Sequence, residues 1–241
     1  MIEAKSKPIP WSRVTVENIC RTRLAEPRAS LYPLAKRGVD IFVAAVLLVL
    51  LVPFLALTAL AICLDSPGPA IFRQKRVGRW GREFTLFKFR SMYANADEEV
   101  HRQFATQYIN GHKADGEASA DGRLVFKPNG DKRVTRVGKW LRRTSLDELP
   151  QLLNVLKGEM SLIGPRPAVP YEVEQYSHWH LQRLAVLPGM TGLAQISGRS
   201  GLTFEKIVRL DLEYIEKRAI LFDLLILAKT VPVVVKAKCV A

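Results

Sequence analysis

Residues 41–64 read IFVAAVLLVLLVPFLALTALAICL, an uncharged apolar run with Pro53 near its middle. A helix of about 24 residues is roughly 36 Å long, enough to cross the ~30 Å hydrocarbon core of a bilayer. Both flanks are basic, with Lys36 and Arg37 before the run and cations from Arg73 onward after it. A spanning helix normally has its cation excess on one side only. The flanks therefore favour a helix that enters and leaves by the same face.

Pro53 is the expected bend, since proline removes a helical hydrogen bond and clashes with the carbonyl four residues back. It divides the run into two arms of roughly 12 residues, each about half a bilayer thick. We expect Asp40 to cap the start of the run and SPGP at 66–69 to end it. Two alternatives stay open: a Pro-kinked spanning helix, which is common, and a buried core helix of a soluble protein.

Composition points to an anionic partner. The chain has 241 residues, with 36 Lys and Arg against 23 Asp and Glu, a formal charge of +13. Such a charge attracts nucleic acid, anionic lipid or phosphate-bearing substrates, and the apolar run favours lipid and phosphate. Cys20, Cys63 and Cys239 are scattered, which argues against a disulfide framework or a zinc site and suits a reducing cytosol.

The pattern predicts a mostly helical α+β protein. We expect an N-terminal extension at 1–35, the re-entrant membrane helix at 36–66 and a cytosolic catalytic domain at 67–241. The first residues are polar, so neither a signal peptide nor a multi-helix N-terminal membrane domain is expected. Alternating residues predict a strand, and apolar periodicity predicts helices. The strand is expected at 84–90 and the helices near 94–108, 147–157 and 203–217.

The last segment, 219–236, mixes apolar residues with lysines. It is expected to lie on a membrane surface with its apolar side down, or else to be a core helix with a solvated stripe. His178 and His180 have no further His or Cys nearby and are interpreted as surface or interfacial residues.

The stretch RRTSLDELP at 142–150 carries the chemistry. Carboxylates such as Asp147 and Glu148 can hold Mg²⁺ or act as nucleophiles, and the guanidinium of Arg142 can grip phosphate oxygens. Together they describe a phosphoryl-transfer site. The alternative is structural: Ser145 and Glu148 have the spacing of a helix capping box. Pro150 counts against a helix that starts at Ser145.

Further cations belong to weaker patterns. Lys88 and Arg90 would share one face of the strand, which is either a binding surface or a solvated edge. Arg166 lies between two prolines, which would preorganise it for an anion or merely build a rigid turn. The glycine-rich stretch at 188–199 ends in Arg199 and would let backbone amides approach a phosphate.

Motifs of one known family occur in order over about residues 33–238. They are KRGVD at 36–40, the apolar run with its proline, KFRSM at 88–92, SLDELPQL at 145–152, NVLKGEMS at 154–161, GPRP at 164–167, PGMTG at 188–192 and GR at 198–199. The chain resembles the bacterial sugar transferases, the monotopic phosphoglycosyl transferases that move a sugar-1-phosphate from a nucleotide sugar to undecaprenyl phosphate.

The resemblance implies a two-step reaction. Asp147 matches the family's nucleophile, which attacks the sugar-linked phosphate of a UDP-sugar and releases UMP. Undecaprenyl phosphate then takes the phosphosugar from the enzyme. Glu148 completes the carboxylate pair and assists Mg²⁺ binding or deprotonation. The implied role is the priming step of exopolysaccharide, capsule, O-antigen or glycoconjugate synthesis.

The resemblance also implies the surroundings of this site. Substrate binding is expected of six polar side chains, Lys88, Arg90, Arg142, Arg166, Arg199 and Asp211. Membrane lipids are expected partners and nucleic acid is not. The expected location is the inner membrane of a bacterium, with a re-entrant helix and an active site facing the cytoplasm.

Two departures from the family pattern stand out: Val52 replaces the usual serine before Pro53, and residues 103–130 form a longer stretch than the smallest members have. That stretch is a lid, a partner surface or disordered. The competing functional hypothesis is a membrane-tethered basic protein that binds anionic lipid or nucleic acid and catalyses nothing. The sequence names neither the sugar nor an oligomeric state.

Overall fold

The computed structural model describes residues 11–23, 31–93, 99–109, 133–198 and 201–235. Most of them are helical, as predicted. The helices are α1 (Arg13–Arg23), α2 (Tyr32–Asp65), α3 (Glu99–Ile109), α4 (Arg136–Thr144), α5 (Leu152–Lys157), α6 (Pro170–Val173), α7 (His178–Leu181), α8 (Leu193–Ser197), α9 (Phe204–Lys217) and α10 (Ile220–Val235). Tight 3₁₀ turns cover Arg79–Gly81, Leu146–Gln151 and Gln182–Ala185.

The strands form two small sheets. Strands β1 (Ile71–Val77) and β2 (Glu83–Phe89) make an antiparallel hairpin, with Ile71 opposite Phe89. Strands β3 (Ser161–Ile163) and β4 (Gly189–Thr191) pair in parallel. The strand predicted at 84–90 is therefore confirmed as β2, but Arg90 lies just beyond its end.

Helix α2 runs unbroken from Tyr32 to Asp65 and contains Pro53. It begins before residue 36, where the membrane helix was expected. The predicted cap is wrong, because Asp40 lies buried inside the helix and its carboxylate accepts a hydrogen bond from the Leu162 amide at 3.1 Å. The helix is long and apolar enough to cross a membrane, and Val49 is 72% exposed.

The N-terminal arm of α2 is attached to α5. The Arg37 guanidinium donates to the carbonyl of Val155 at 2.6 Å and to that of Leu156 at 2.9 Å. These carbonyls belong to the last turn of α5, and that of Val155 also accepts from the Gly158 amide at 3.0 Å. Ala44, one turn beyond Asp40, is fully buried in the core that Leu152 and Val155 also form.

The C-terminal end of α2 is attached to the start of α4 and to Arg90, which follows β2. The Asp65 carboxylate accepts from the Val137 amide at 3.0 Å, at the start of α4. Arg90 is buried and donates to the carbonyls of Ser66 at 2.6 Å and Pro67 at 2.7 Å. Its guanidinium therefore stabilises the corner after α2, a structural role that the sequence did not predict for Arg90.

A buried carboxylate joins α10 to α2 and α9. Asp223 accepts from the Tyr32 hydroxyl, the Lys36 amine and the Tyr214 hydroxyl, each at 2.9 Å. Elsewhere in α10, Ile226 is fully buried in the core and Leu221 is 77% exposed; contact of the exposed side with a membrane surface stays a prediction.

Asp223→Asn is expected to lower the free energy of unfolding by about 3 kcal/mol, because it leaves the largely buried Lys36 amine without its counter-charge. Thermal unfolding in detergent measures the loss. Glu213→Gln is the matched control: its pair with Lys217 is exposed and should contribute less than about 0.5 kcal/mol. Equal shifts for the two variants would contradict the assignment.

Helix α1, which lies within the expected N-terminal extension 1–35, packs against the rest of the protein. Val16 is fully buried, and Ile19 and Cys20 are nearly so, in a cluster that also contains Tyr176 and Leu181. Helix α1 thus contributes one face to the core, although its sequence is polar apart from these positions and the exposed Val14.

His180, expected to be a surface or interfacial residue, is half-buried in the same region. Its ring packs at 5.0 Å from Phe204 and 5.8 Å from Tyr176, measured between ring centroids. Its Nδ1 accepts a hydrogen bond from the Ser177 amide at 3.2 Å, which requires the neutral imidazole. Burial, followed by the nearby charge of Arg183, lowers the pKa of His180 to about 4.

Because the unfolded chain binds this proton near pH 6.5 and the folded chain only near pH 4, stability is complete above the first value and falls as the pH drops between them. Between about pH 7 and pH 5 we expect a loss of about 2 kcal/mol, measured by thermal unfolding. His180→Asn keeps an acceptor for Ser177 but has no proton to bind in this range. An equally steep pH dependence in that variant would contradict the assignment to His180.

Candidate active site

The carboxylate pair lies on a turn between two helices. Helix α4 ends at Thr144, and Ser145 reverses the chain with a left-handed φ of 59°. The 3₁₀ turn Leu146–Gln151 then carries Asp147, Glu148 and Pro150. The single helix predicted over 147–157 is therefore wrong in its first half. Pro150 lies within this 3₁₀ turn and has no amide hydrogen to donate.

The capping-box alternative is excluded at this turn. The Ser145 side chain makes no capping hydrogen bond, so Glu148 does not serve as its partner. The Glu148 carboxylate instead faces Lys88, with 3.7 Å between Oε1 and Nζ.

Lys88 joins the two carboxylates. Its Nζ lies 3.3 Å from Oδ2 of Asp147 and 3.7 Å from Oε1 of Glu148. Strand β2 packs directly on the 3₁₀ turn and delivers this amine. Asp147 is largely buried, whereas the Glu148 side chain is 42% exposed. The less accessible carboxylate therefore has a fixed position, and the other faces solvent.

The donor set suits a magnesium ion that is shared with a substrate. Among the residues that the structure describes, no three His, Cys, Asp or Glu side chains group together as a metal site. Mg²⁺ is commonly held by one or two carboxylates together with water and substrate phosphates. Asp147 and Glu148 can supply such a pair, and the phosphate oxygens would have to supply the rest.

Arg142 lies on the last turn of α4, one turn before the carboxylates. Its Nε donates to the Ser91 hydroxyl at 2.8 Å. Helix α4 approaches Ser91 so closely that a Cβ at Gly138 would overlap the Ser91 carbonyl. The contact fixes the base of the Arg142 guanidinium relative to the strand that carries Lys88.

Arg166 is exposed on the turn after β3, and the buried Arg76 guanidinium donates to the carbonyl of the next residue, Pro167, at 2.9 Å. Burial lowers the pKa of the Arg76 guanidinium and the charge of Arg166 lowers it further, whereas Glu172 and Glu148 oppose the shift. Arg76 therefore lies within electrostatic range of both Arg166 and Glu148. Sequence reasoning counted Arg76 only as a cation flanking the apolar run.

Two of the expected substrate-binding residues do not join this group. Asp211 is 1% exposed and forms an ion pair with Arg183, with 2.6 Å between Oδ2 and Nη2. Its carboxylate is buried against Arg183 and presents no surface for direct contact with a substrate. Arg199 lies outside the described residues, as do 110–130 of the long stretch noted above.

A protein-family profile described as "Bacterial sugar transferase" matches residues 31–237. The chain belongs to the bacterial sugar transferase family. The match includes the carboxylate pair, Lys88, Arg166 and the whole of α2. Together with the family, the long apolar helix indicates association with a membrane.

Named relatives of this bacterial sugar transferase fall into two sizes. Galactosyl transferase CpsE of Streptococcus agalactiae is 42% identical over 202 residues, which are 83% of this chain but 42% of the relative. UDP-glucose:undecaprenyl-phosphate glucose-1-phosphate transferase of Escherichia coli is 43% identical over 213 residues, 85% of this chain and 41% of the relative. The chain thus spans about two-fifths of these proteins. Exopolysaccharide production protein ExoY of Rhizobium meliloti is 38% identical over 201 residues, 83% of this chain and 85% of the relative.

Proposed function

We propose that this protein transfers a sugar-1-phosphate from a UDP-sugar to undecaprenyl phosphate, with release of UMP. The observation that carries the proposal is the largely buried Asp147 carboxylate, held 3.3 Å from the Lys88 amine beside a second, exposed carboxylate. The name of the Escherichia coli relative, which pairs UDP-glucose with undecaprenyl phosphate, supports these substrates.

The first step forms a bond between a carboxylate oxygen of Asp147 and the sugar-linked phosphorus of the UDP-sugar. The bond from that phosphorus to the bridging oxygen breaks, and the oxygen leaves with UMP. In the second step a phosphate oxygen of the lipid attacks the same phosphorus. The bond to Asp147 breaks, its carboxylate is restored, and a lipid-linked diphosphosugar is released. A carboxylate nucleophile divides one difficult transfer into two easier ones.

The other side chains hold and neutralise phosphate. Lys88 keeps the Asp147 carboxylate in place, and its charge offsets the negative charge that develops at the phosphorus. Arg142 and Arg166 present guanidinium groups, which can bind phosphate oxygens through two parallel hydrogen bonds. Asp147 and Glu148 would hold Mg²⁺, which, when bound, offsets the charge of the diphosphate.

A re-entrant α2 fits the proposed reaction, because a soluble donor and a lipid acceptor must meet at one membrane face. Residues 136–157 contact both ends of α2, through Val137 at Asp65 and through Val155 at Arg37. A straight spanning helix would place those ends on opposite surfaces. Attachment of both ends to one folded unit supports entry and exit by the cytoplasmic face of the inner membrane, with the bend at Pro53.

UMP release from UDP-sugars tests the activity. The purified protein with Mg²⁺ and undecaprenyl phosphate is expected to release UMP from one of the common UDP-sugars, and a screen would name the sugar. No release from any of them would overturn the proposal. It would favour the competing hypothesis of a non-catalytic basic protein, which accounts for the charge of +13 but not for the buried Asp147.

Cysteine labelling tests the topology. Single cysteines placed before and after α2, in a background without native cysteines, should both react with a membrane-impermeant reagent from the cytoplasmic side only. Labelling of either position from the periplasm would overturn re-entry.

A further inference from the structure

The backbone of the turn that carries Arg166 is held by four consecutive hydrogen bonds. The carbonyls of residues 165–168 each accept a hydrogen bond, in order from Gly189 N at 2.8 Å, Arg183 Nη2 at 3.4 Å, Arg76 Nη1 at 2.9 Å and Val77 N at 2.8 Å. The Arg166 side chain itself points to an exposed position. The backbone beneath this cation is therefore fixed, and two of its four contacts come from buried guanidinium groups.

Arg183 is the contact that lies directly under Arg166. It is 5% exposed and contacts three separate parts of the chain. Its Nη2 lies near the Arg166 carbonyl and the Asp211 carboxylate on α9, and its Nη1 donates to the Tyr176 hydroxyl at 2.9 Å. Asp211 supplies its counter-charge at 2.6 Å. A buried cation is stable only with such a partner, and loss of the partner displaces it.

We propose that Asp211 and Tyr176 are positioning residues that act through Arg183 on the orientation of Arg166. The inference rests on the proposed transferase activity and on the phosphate-binding role of Arg166. Asp211 is too deeply buried to touch a substrate, yet it is connected to the phosphate site through a single side chain. Its removal would release Arg183 from the Arg166 carbonyl, and the exposed guanidinium would lose its fixed direction.

A purely structural role would give a different pattern in a double-mutant cycle. If Asp211 acts through Arg166, its replacement has nothing left to disturb once the Arg166 side chain is removed. If it only stabilises the fold, its effect on activity persists whichever residue occupies position 166. The coupling between the two substitutions therefore separates the roles.

The experiment measures kcat/KM for the UDP-sugar in UMP release, for single and double variants. Arg166→Ala is expected to lower it about 100-fold, and Asp211→Asn about 10-fold, since misplacement of a binding group has effects of this size. The double variant should match Arg166→Ala within about 2-fold. Tyr176→Phe removes one hydroxyl and provides the same cycle, with a smaller first effect, if Asp211→Asn does not fold.

Asp65→Asn is the matched control, because Asp65 is also a structural carboxylate but contacts α4 rather than the Arg166 turn. If Asp65→Asn lowers kcat/KM, the fold-change of its double variant with Arg166→Ala should equal the product of the two single fold-changes. Full multiplication for Asp211→Asn and Tyr176→Phe as well, or an Arg166→Ala variant with unchanged activity, would overturn the inference. Absence of turnover in the wild-type protein would overturn the proposed function and this inference with it.

Discussion

Asp147→Asn is expected to reduce UMP release by about 10³-fold or more, because loss of a covalent nucleophile removes the route itself rather than one stabilising contact. The substitution keeps the size of the side chain and leaves Lys88 paired with Glu148, so the turn should keep its shape. Single-turnover release of UMP measures the loss. Intact-mass analysis after incubation with donor alone should show a phosphosugar adduct on the wild-type protein and none on the variant.

Glu148→Gln is the matched control for this prediction. It removes the other carboxylate of the pair but leaves the Asp147 nucleophile in place. We expect a loss of about 10²-fold, typical of an assisting acid or base, with the adduct still formed on Asp147. Near-normal turnover by Asp147→Asn, or an adduct that maps elsewhere, would show that the covalent mechanism is wrong.

Local patterns predicted the elements whose identity depends on near neighbours in the chain. The apolar run became α2, and the alternation around Lys88 became β2. The sequence also predicted a phosphoryl-transfer role for Asp147 and Glu148, because they are adjacent and follow Arg142. The short 3₁₀ turn that carries them was not predicted. Only Pro150 counted against a helix that starts at Ser145, because its missing amide hydrogen is incompatible with a helix interior.

Three polar residues were assigned roles that overlooked partners distant in the sequence. Asp40 was assigned to a cap, but its partner is the Leu162 amide, 122 positions away. Arg90 was assigned to a substrate, although it binds carbonyls at the end of α2. Asp211 is matched by Arg183, and no spacing rule joins the two. A charged residue in a pattern does not reveal whether its counterpart is a ligand or another part of the protein.

The second large effect is expected at Gly189 on β4, where two backbone segments nearly touch. The Gly189 amide donates to the Pro165 carbonyl at 2.8 Å, and the Gly164 amide donates to the Thr191 carbonyl at 2.9 Å. A Cβ at position 189 would overlap the Gly164 nitrogen, which is backbone and has no room to move aside. Gly189→Ala must therefore separate β3 from β4 or distort both.

We expect Gly189→Ala to lower the free energy of unfolding by at least about 3 kcal/mol, from overpacking together with weakened hydrogen bonds. Thermal unfolding in detergent should show a shift of about 6–12 °C. Gly38→Ala makes the same chemical change within α2, where no atom lies within 4 Å of the added carbon, and should be neutral or slightly stabilising. UMP release should fall in Gly189→Ala even where the protein stays folded, because the Arg166 turn is anchored on the displaced strand. Equal melting temperatures for the two alanine variants would show that the close approach of these strands is not required for the fold.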